Sequence, residues 1–148
     1  MAGTINKKTL LLCVLAFSLC AMASGVAFTA KVPAEGSVVK LESRADLEAE
    51  LKENPSFVIQ LTLEGCAYCE ALNYEEYTYL KTHDVTIYEY EVPKDLKEVE
   101  RAFLKERFGS FETYPAVYYV VGGATGDPLA MGADAGGFAE AMEAIGQR

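Results

Sequence analysis

The chain has 148 residues, of which 51% are hydrophobic and 24% are charged, so it has the composition of a globular protein and the length of one ordinary domain. This composition excludes a disordered, collagen-like or disulfide-stapled chain. The formal net charge of -9 leaves few cations to neutralise phosphates, and no cluster of Lys and Arg follows residue 8, which argues against nucleic-acid binding.

The first 30 residues have the pattern of an export signal. Lys7 and Lys8 precede a stretch of 22 residues, Thr9 to Ala30, that contains no charged side chain. The small residues of Ala21-Met22-Ala23 favour cleavage after Ala23, which predicts a secretory signal peptide. The alternative is an uncleaved N-terminal membrane anchor, because a stretch of this length can cross a bilayer as a helix.

Export limits what the cysteines can do. Two of the four cysteines, Cys13 and Cys20, lie in the export segment. The domain predicted for residues 31–148 therefore holds only Cys66 and Cys69, so no other disulfide is possible within one chain. We expect this domain to be extracytoplasmic, that is, secreted, periplasmic or at the outer face of the membrane. It would touch a membrane only through an uncleaved first segment.

The first half of the domain alternates strands and helices. Val38 to Leu41 forms a short predicted strand, and Ser43 offers an N-cap for a helix that runs to about Glu53. The nearly continuous apolar run from Phe57 to Leu63 predicts a strand buried on both faces of a sheet. A helix from Cys69 to about Lys81 follows, so the cysteine motif lies at a strand-to-helix turn.

The next pair of elements is a strand and an amphipathic helix. Val85 to Val92 is rich in β-branched and aromatic residues, and its second half alternates between apolar and polar side chains. Apolar residues then recur at spacings of three and four from Lys94 to Phe108, and Gly109 is placed to end the helix.

The chain closes with a hairpin and a last helix. Ala116 to Val121 is a predicted strand, Gly122 to Asp127 a loop, and Pro128 to Met131 a returning antiparallel strand. The last helix covers Phe138 to Ile145. The predicted order of elements is therefore βαβαβαββα.

This order, together with two motifs, resembles the thioredoxin family. The motifs are Cys66-Ala67-Tyr68-Cys69 at the end of a buried strand and the dipeptide Tyr114-Pro115 before a later strand. The resemblance covers about Val38 to Ile145. It implies an α/β, thioredoxin-like fold, in which a central mixed β-sheet carries helices on both faces. It also implies a cis bond before Pro115, packed beside the cysteine pair.

The cysteine motif predicts thiol–disulfide exchange. Backbone N–H groups and the helix dipole at the start of a helix favour a thiolate, so Cys66 is the predicted nucleophile. Cys69, one turn further along, is placed to attack the mixed disulfide that Cys66 forms with a substrate. The redox-active group is then the Cys66–Cys69 disulfide itself, and we expect neither a further cofactor nor a metal.

Two tyrosines mark a candidate substrate groove. Tyr68 lies inside the cysteine motif, and the resemblance places Tyr114 and Pro115 beside it. In the family that the chain resembles, the residue before the cis proline offers its backbone to an extended segment, as in strand addition. We therefore expect protein or peptide thiols and disulfides as substrates. Because nothing in the sequence resembles a nucleotide or flavin site, electrons would come from a redox partner protein.

Two departures from the family leave the direction of exchange open. The residues between the cysteines are neither Gly-Pro nor a pair that contains His. Six residues before Cys66, where thioredoxins carry a buried acid, this chain has Gln60, which cannot act as a base. We expect an exported thiol–disulfide oxidoreductase in which reduction or isomerisation is favoured over oxidation.

Three other interpretations stay open at the level of sequence. The domain could be an accessory or binding module whose cysteine pair is structural or vestigial. The pair could be a static disulfide that staples the turn in an oxidising compartment. It could also be half of a zinc site, but tetrahedral zinc needs four ligands and the exported domain adds only His83 to its two cysteines.

Overall fold

The structure, a computed structural model, describes residues 35–109, 111, 113–132 and 135–146. The predicted signal peptide or anchor lies outside the described residues, as does the start of the predicted domain. Cleavage after Ala23 therefore stays a prediction. Within the described residues, no helix has the length and apolar character needed to cross a bilayer.

The strands and helices of the described chain follow one another in the predicted order. The strands are β1 (Ser37–Leu41), β2 (Ser56–Leu63), β3 (Thr86–Val92), β4 (Ala116–Val121) and β5 (Ala124–Thr125), and the helices are α1 (Arg44–Glu53), α2 (Ala67–Leu80), α3 (Glu98–Phe108) and α4 (Phe138–Gly146). One sheet has the strand order β1-β3-β2-β4-β5. Its first three strands are parallel, and β4 and β5 are each antiparallel to their neighbours.

Strand β2 lies at the centre of the sheet and contributes to two cores. On one side, Ile59 and Leu61 pack with Leu47 of α1 and Leu104 of α3, and we call this side the α1/α3 face. Burial of each such side chain contributes about 1.5–3 kcal/mol. Strand β2 is buried on both sides, as its continuous apolar run predicts.

The opposite side of the sheet is covered by the other two helices. Val58 of β2 and Ile87 of β3 pack there with Leu72 of α2 and Phe138 of α4, and we call this side the α2/α4 face. Since successive strand residues point to opposite sides, the even-numbered residues of β2 belong to this face. The predicted fold class, a mixed sheet with helices on both faces, is confirmed.

The hairpin differs from the sequence prediction. The predicted strand over residues 128–131 is wrong, because the returning strand is β5, at Ala124–Thr125. Gly122 and Gly123 both have positive φ, 59° and 76°, and close a two-residue turn that lets pairing with β4 begin at once. Leu129 still donates its N–H to the Val117 carbonyl at 2.7 Å, but it does so as an isolated bond outside any strand.

Helix α3 is shorter at its start than predicted. The prediction placed its first residue near Lys94, whereas the helix begins at Glu98. The Lys97 N–H donates to the Glu100 carboxylate at 3.3 Å, which satisfies a backbone donor that has no partner inside the helix. The predicted end is confirmed, because Gly109 follows Phe108 with a φ of 61°.

Candidate functional site

Cys66 is the N-cap of α2, three residues after the end of β2. A turn at Gly65, with a φ of 71°, separates the strand from the helix. The Cys66 Sγ accepts a hydrogen bond from the Cys69 N–H at 3.2 Å, so the helix begins at Ala67, two residues earlier than predicted. A half-buried sulfur in this position faces the unpaired N–H groups and the positive end of the helix dipole, which favour negative charge.

Cys69 occupies a different environment although it lies only one turn away. Its side chain is buried, with 6% of its surface exposed, and both cysteines carry free thiols. Burial, the hydrogen bond with Cys66 and the charge of Glu89 together raise the pKa of the Cys69 thiol to about 12. Cys69 is therefore a protonated thiol at neutral pH, and Cys66 is the more exposed of the two cysteines.

The loop before β4 approaches the same sulfur. The peptide bond between Tyr114 and Pro115 is cis, and the Tyr114 carbonyl oxygen lies 3.8 Å from the Cys66 Sγ. The structure thus brings together three of the predicted site residues from two separate segments of the chain. Tyr114 is half-buried and packs against the core of the α1/α3 face. Tyr68 is 56% exposed, on the first turn of α2.

A small cavity lies beside Tyr114. Its volume is about 210 Å³, and its lining includes Leu63 at the end of β2, Val92 at the end of β3, and Leu96 and Arg101 in the following segment. None of these four residues is among the site residues that the sequence predicts. Their common position could be read from topology alone, because parallel strands β2 and β3 end at the same edge of the sheet.

Buried polar side chains lie on the α2/α4 face near the cysteine end of the sheet. The Gln60 side-chain amide donates to Glu76 Oε2 at 3.2 Å, and the Thr62 hydroxyl donates to Glu89 Oε1 at 3.0 Å. The Lys40 Nζ lies 3.6 Å from Glu89 Oε2. The pKa of Glu76 is raised to about 8: burial is the main cause, the Gln60 hydrogen bond opposes it, and the charge of Glu89 adds to it.

Sequence reasoning missed both glutamates of this group. Glu76 lies four residues after Leu72 and four before Leu80, on the apolar stripe of α2, and this position was the available signal that it is buried. Glu89 lies directly opposite Gln60 in the register of β2 and β3. That pairing was not readable before the register was known.

Comparisons with known proteins identify the fold. The sequence matches no family model, and no curated protein sequence matches it. A putative oxidoreductase with a thioredoxin fold superposes with a TM-score of 0.53 at 18% identity, over 71% of this chain and 91% of the other. The chain has a thioredoxin fold.

Two thioredoxins give similar values. The one from Trypanosoma brucei brucei has a TM-score of 0.52 at 15% identity and covers 83% of this chain and 100% of its own. The one from Malassezia sympodialis has a TM-score of 0.52 at 18% identity and covers 76% of this chain and 90% of its own. At these identities the likeness is one of fold, and the chemistry of the site has to be argued from its own residues.

His83 lies far from the cysteines in this thioredoxin fold. It follows the C-terminal end of α2, where its ring stacks on Tyr79 with centroids 3.8 Å apart and its Nδ1 lies 2.9 Å from the Tyr79 carbonyl oxygen. Cys66 caps the other end of this helix of 14 residues, which is about 21 Å long at 1.5 Å per residue. One zinc ion, with ligands at about 2.0–2.3 Å, cannot bind both side chains. Among the described residues, no group of three or more His, Cys, Asp or Glu could hold a metal ion.

Proposed function

We propose that the chain is a thiol–disulfide oxidoreductase that exchanges disulfides with protein or peptide substrates through Cys66 and Cys69. The observation that carries this proposal is the position of the Cys66 sulfur. It is half-buried at the N-cap of α2, accepts the Cys69 N–H at 3.2 Å, and lies 3.8 Å from the carbonyl of the residue before a cis proline. A static staple requires none of these features.

The reaction has two displacements. In the first, the Cys66 thiolate attacks a substrate disulfide, one S–S bond forms as another breaks, and one substrate sulfur leaves as a thiolate. In the second, Cys69 loses its proton and its sulfur attacks Cys66. The intramolecular disulfide forms, the mixed disulfide breaks, and the second substrate sulfur leaves. The substrate gains two electrons and the cysteine pair loses two; the reverse sequence donates a disulfide.

The backbone at Tyr114 supports a mode of substrate binding. Its carbonyl oxygen is within reach of Cys66, so an extended substrate segment that pairs with this backbone would place its own sulfur near the nucleophile. Exposed Tyr68, inside the motif, adds an aromatic surface. Tyr68, Tyr114 and Pro115 are thus the proposed substrate-binding residues. Backbone pairing of this kind contributes affinity while allowing many substrate sequences.

The proposal also covers where the protein is located and in which direction it exchanges disulfides. The N-terminal segment supports export, and reduction or isomerisation is favoured over oxidation. The pair needs no cofactor other than its own disulfide, and a redox partner protein would supply or remove electrons. The experiment that tests the proposal measures the equilibrium redox potential of the full chain carrying Cys13→Ser and Cys20→Ser. These substitutions leave Cys66 and Cys69 as the only cysteines.

The potential distinguishes the possible outcomes. A value near about -270 mV identifies a reductase, one near about -180 mV an isomerase, and one near about -120 mV a disulfide donor. In the same background, Cys66→Ser should abolish exchange with a protein disulfide, and Cys69→Ser should accumulate a mixed disulfide. A pair that does not equilibrate with glutathione or a stronger dithiol contradicts the proposal and supports the accessory-module interpretation.

A further inference from the structure

A cavity of about 400 Å³ lies between helix α2 and strand β1, which forms one edge of the sheet. Its apolar lining includes Val38 of β1 and Tyr77 and Leu80 of α2, and its polar lining includes Asn73 and Glu76 of α2. Neither cysteine lines this cavity, nor does any of the proposed substrate-binding residues. It is therefore separate from the exchange site, and the proposed function assigns it no role.

Glu76 brings a hydrogen-bond acceptor without a partner to this cavity. Its side chain is only 1% exposed, and its Oε2 accepts a hydrogen bond from the Gln60 amide at 3.2 Å. Within the described residues, the buried Glu76 Oε1 has no hydrogen-bond partner. Gln60 Oε1 is also without a partner, but Gln60 does not line the cavity. A buried acceptor that stays unpaired is costly, so the geometry favours a donor that enters the cavity and reaches Glu76 Oε1.

The two lysines that line the cavity interact with other groups. The Lys40 Nζ lies 3.6 Å from Glu89 Oε2, and the Thr62 hydroxyl donates to Glu89 Oε1 at 3.0 Å, so both oxygens of Glu89 have partners. The Lys81 Nζ lies 4.0 Å from the centroid of the Tyr77 ring. Neither ammonium bonds to Glu76 Oε1. The missing donor therefore has to come from outside the described part of the chain.

The charges around Glu76 favour a donor that is itself positive. The pKa of Glu76 is raised to about 8, chiefly by burial, against the Gln60 hydrogen bond and with the charge of Glu89. A cation next to Glu76 offsets both causes of the rise, because it stabilises the carboxylate and neutralises its repulsion with Glu89. The other titratable groups that line the cavity are Glu35 before β1, Lys40 of β1, and Tyr77 and Lys81 at the end of α2.

The lining suits an organic cation better than a metal ion. Within the part of the chain that the structure describes, no group of three or more His, Cys, Asp or Glu could hold a metal. An ammonium group, in contrast, can bind to one carboxylate, and the apolar arm that carries it can lie along an apolar surface. Val38, Tyr77 and Leu80 provide such a surface beside Glu76.

We propose that this cavity binds a primary ammonium group on an apolar arm, with the ammonium donating to Glu76 Oε1 and the arm lying against Val38, Tyr77 and Leu80. The group belongs to a free alkylamine or to the lysine side chain of a peptide, which share this chemistry. Binding converts Glu76 from a neutral acid to a carboxylate. The carboxyl O–H bond breaks and its proton passes to solvent, so one positive charge enters the cavity as another leaves.

The experiment titrates n-butylamine into the full chain by calorimetry at pH 7 and pH 9, at constant ionic strength. Glu76 is about one-tenth ionised at pH 7 and about nine-tenths at pH 9, so the affinity should be about 10-fold higher at pH 9. At pH 7, buffers of different ionisation enthalpy should report the release of about 0.9 proton per bound amine, for the same reason. No binding, equal affinity at the two pH values, or binding without proton release overturns the inference.

A neutral probe and a charge variant test the role of the ammonium. The probe n-butanol has the same arm without the charge and should bind at least about 10-fold more weakly at pH 9, because charge-assisted hydrogen bonds are the stronger ones. Glu76→Gln should weaken n-butylamine binding at pH 9 by about 10-fold and remove both the pH dependence and the proton release. The matched control is Glu75→Gln, on the same helix but outside the lining, which should bind as the parent does. Equal binding of the alcohol overturns the inference.

A second variant locates the amine without changing the buried acid. Val38 is 38% exposed, so Val38→Ala should fold, yet it removes part of the surface against which the arm lies. Its affinity for n-butylamine should fall by about 3-fold with the proton release unchanged. An affinity equal to that of the parent would place the amine elsewhere and overturn the inference.

A peptide probe identifies the source of the ammonium group. Nα-acetyl-lysine N-methylamide carries the same butylammonium arm on a peptide unit. If it binds at least as tightly as n-butylamine, the cavity accepts a protein side chain. If it binds more weakly, the cavity is specific for a free amine. Both results support the ammonium site, and neither depends on the redox chemistry of the cysteines.

Discussion

The two faces of the central sheet are built from alternate residues of the same strand, yet they differ in character. On the α1/α3 face, Ile59 and Leu61 of β2 lie in a hydrophobic core along its whole length. On the α2/α4 face, Val58 is followed by Gln60 and Thr62, so the packing changes from apolar to polar toward the cysteines. All the buried polar side chains of the described residues belong to this second face. The difference teaches that one face is apolar throughout, while the other combines an apolar core with buried polar side chains.

The largest expected effect is on the α1/α3 face. Ile59→Ala should lower the free energy of unfolding by about 2–5 kcal/mol, because it opens a cavity in a fully buried core. Urea unfolding monitored by far-UV circular dichroism measures this loss, and Val121→Ala, at an exposed site on β4, is the matched control. The folded variant should still exchange disulfides with a protein substrate. Loss of exchange without unfolding would show that the two faces are not separable.

The next effect is a pH dependence that belongs to the α2/α4 face. The pKa of Glu76 is about 8 in the folded chain and about 4.5 as its ordinary value, so the folded state binds more protons between these values. The free energy of unfolding should therefore fall as pH rises from about 4.5 to 8, by up to about 1.4 kcal/mol per pH unit.

Glu76→Gln should remove this contribution. Its amide oxygen can accept the same hydrogen bond from Gln60, but the amide cannot ionise. The variant should match the parent chain at pH 5 and be more stable at pH 8, as measured by urea unfolding at each pH. Glu75→Gln, which removes a charge from the same helix, is the control and should keep the parent slope. Parallel curves for the parent and Glu76→Gln would mean that Glu76 is ionised when folded.

A smaller effect concerns the hydroxyl that holds Glu89. Thr62→Val keeps the size of the side chain and removes its hydrogen bond to a buried carboxylate, so we expect a loss of about 1–3 kcal/mol in the free energy of unfolding. Thr86→Val, at an exposed position of β3, should have little effect. An equal loss in the two variants would contradict a specific role for the Thr62 hydroxyl.

The smallest effect is expected at the surface near the motif. Lys94 and Glu64 form an ion pair at 3.1 Å, but their side chains are 57% and 70% exposed. Lys94→Ala should therefore change the free energy of unfolding by no more than about 1 kcal/mol, and should do so less at high salt. A larger change, measured in the same urea experiments, would mean that the α2/α4 face is not the only electrostatically sensitive part of the site.

Some features of the fold can be predicted from the sequence and others cannot. Periodicity gave the order of elements and the burial of β2, because both depend on the local alternation of apolar residues. It misplaced β5, because two glycines with positive φ turn the chain earlier than the loop composition suggests. The position of the cysteine motif between β2 and α2 was predictable, since the strand pattern ends directly before it.

The polar part of the site was less accessible to sequence reasoning. The sequence shows that Gln60 stands where the family has an acid, but not that it bonds to Glu76. That partner lies 16 residues away on another element. The pairing of Thr62 with Glu89 across 27 residues requires the register of two parallel strands. Charged residues are rarely buried, so a pattern of residue types assigns them to solvent unless their partners are known.

The unequal depth of the two sulfurs has a consequence for chemical labelling. No Lys or Arg lies between residues 53 and 80, so trypsin releases β2, the motif and α2 as one peptide that contains both cysteines. An alkylating reagent applied to the reduced, folded chain should mark Cys66, and a heavier isotopic form applied after unfolding should mark Cys69. Mass spectrometry of that one fragment then measures the accessibility of each sulfur separately. Because both cysteines are in the same peptide, their labels are compared within one molecule.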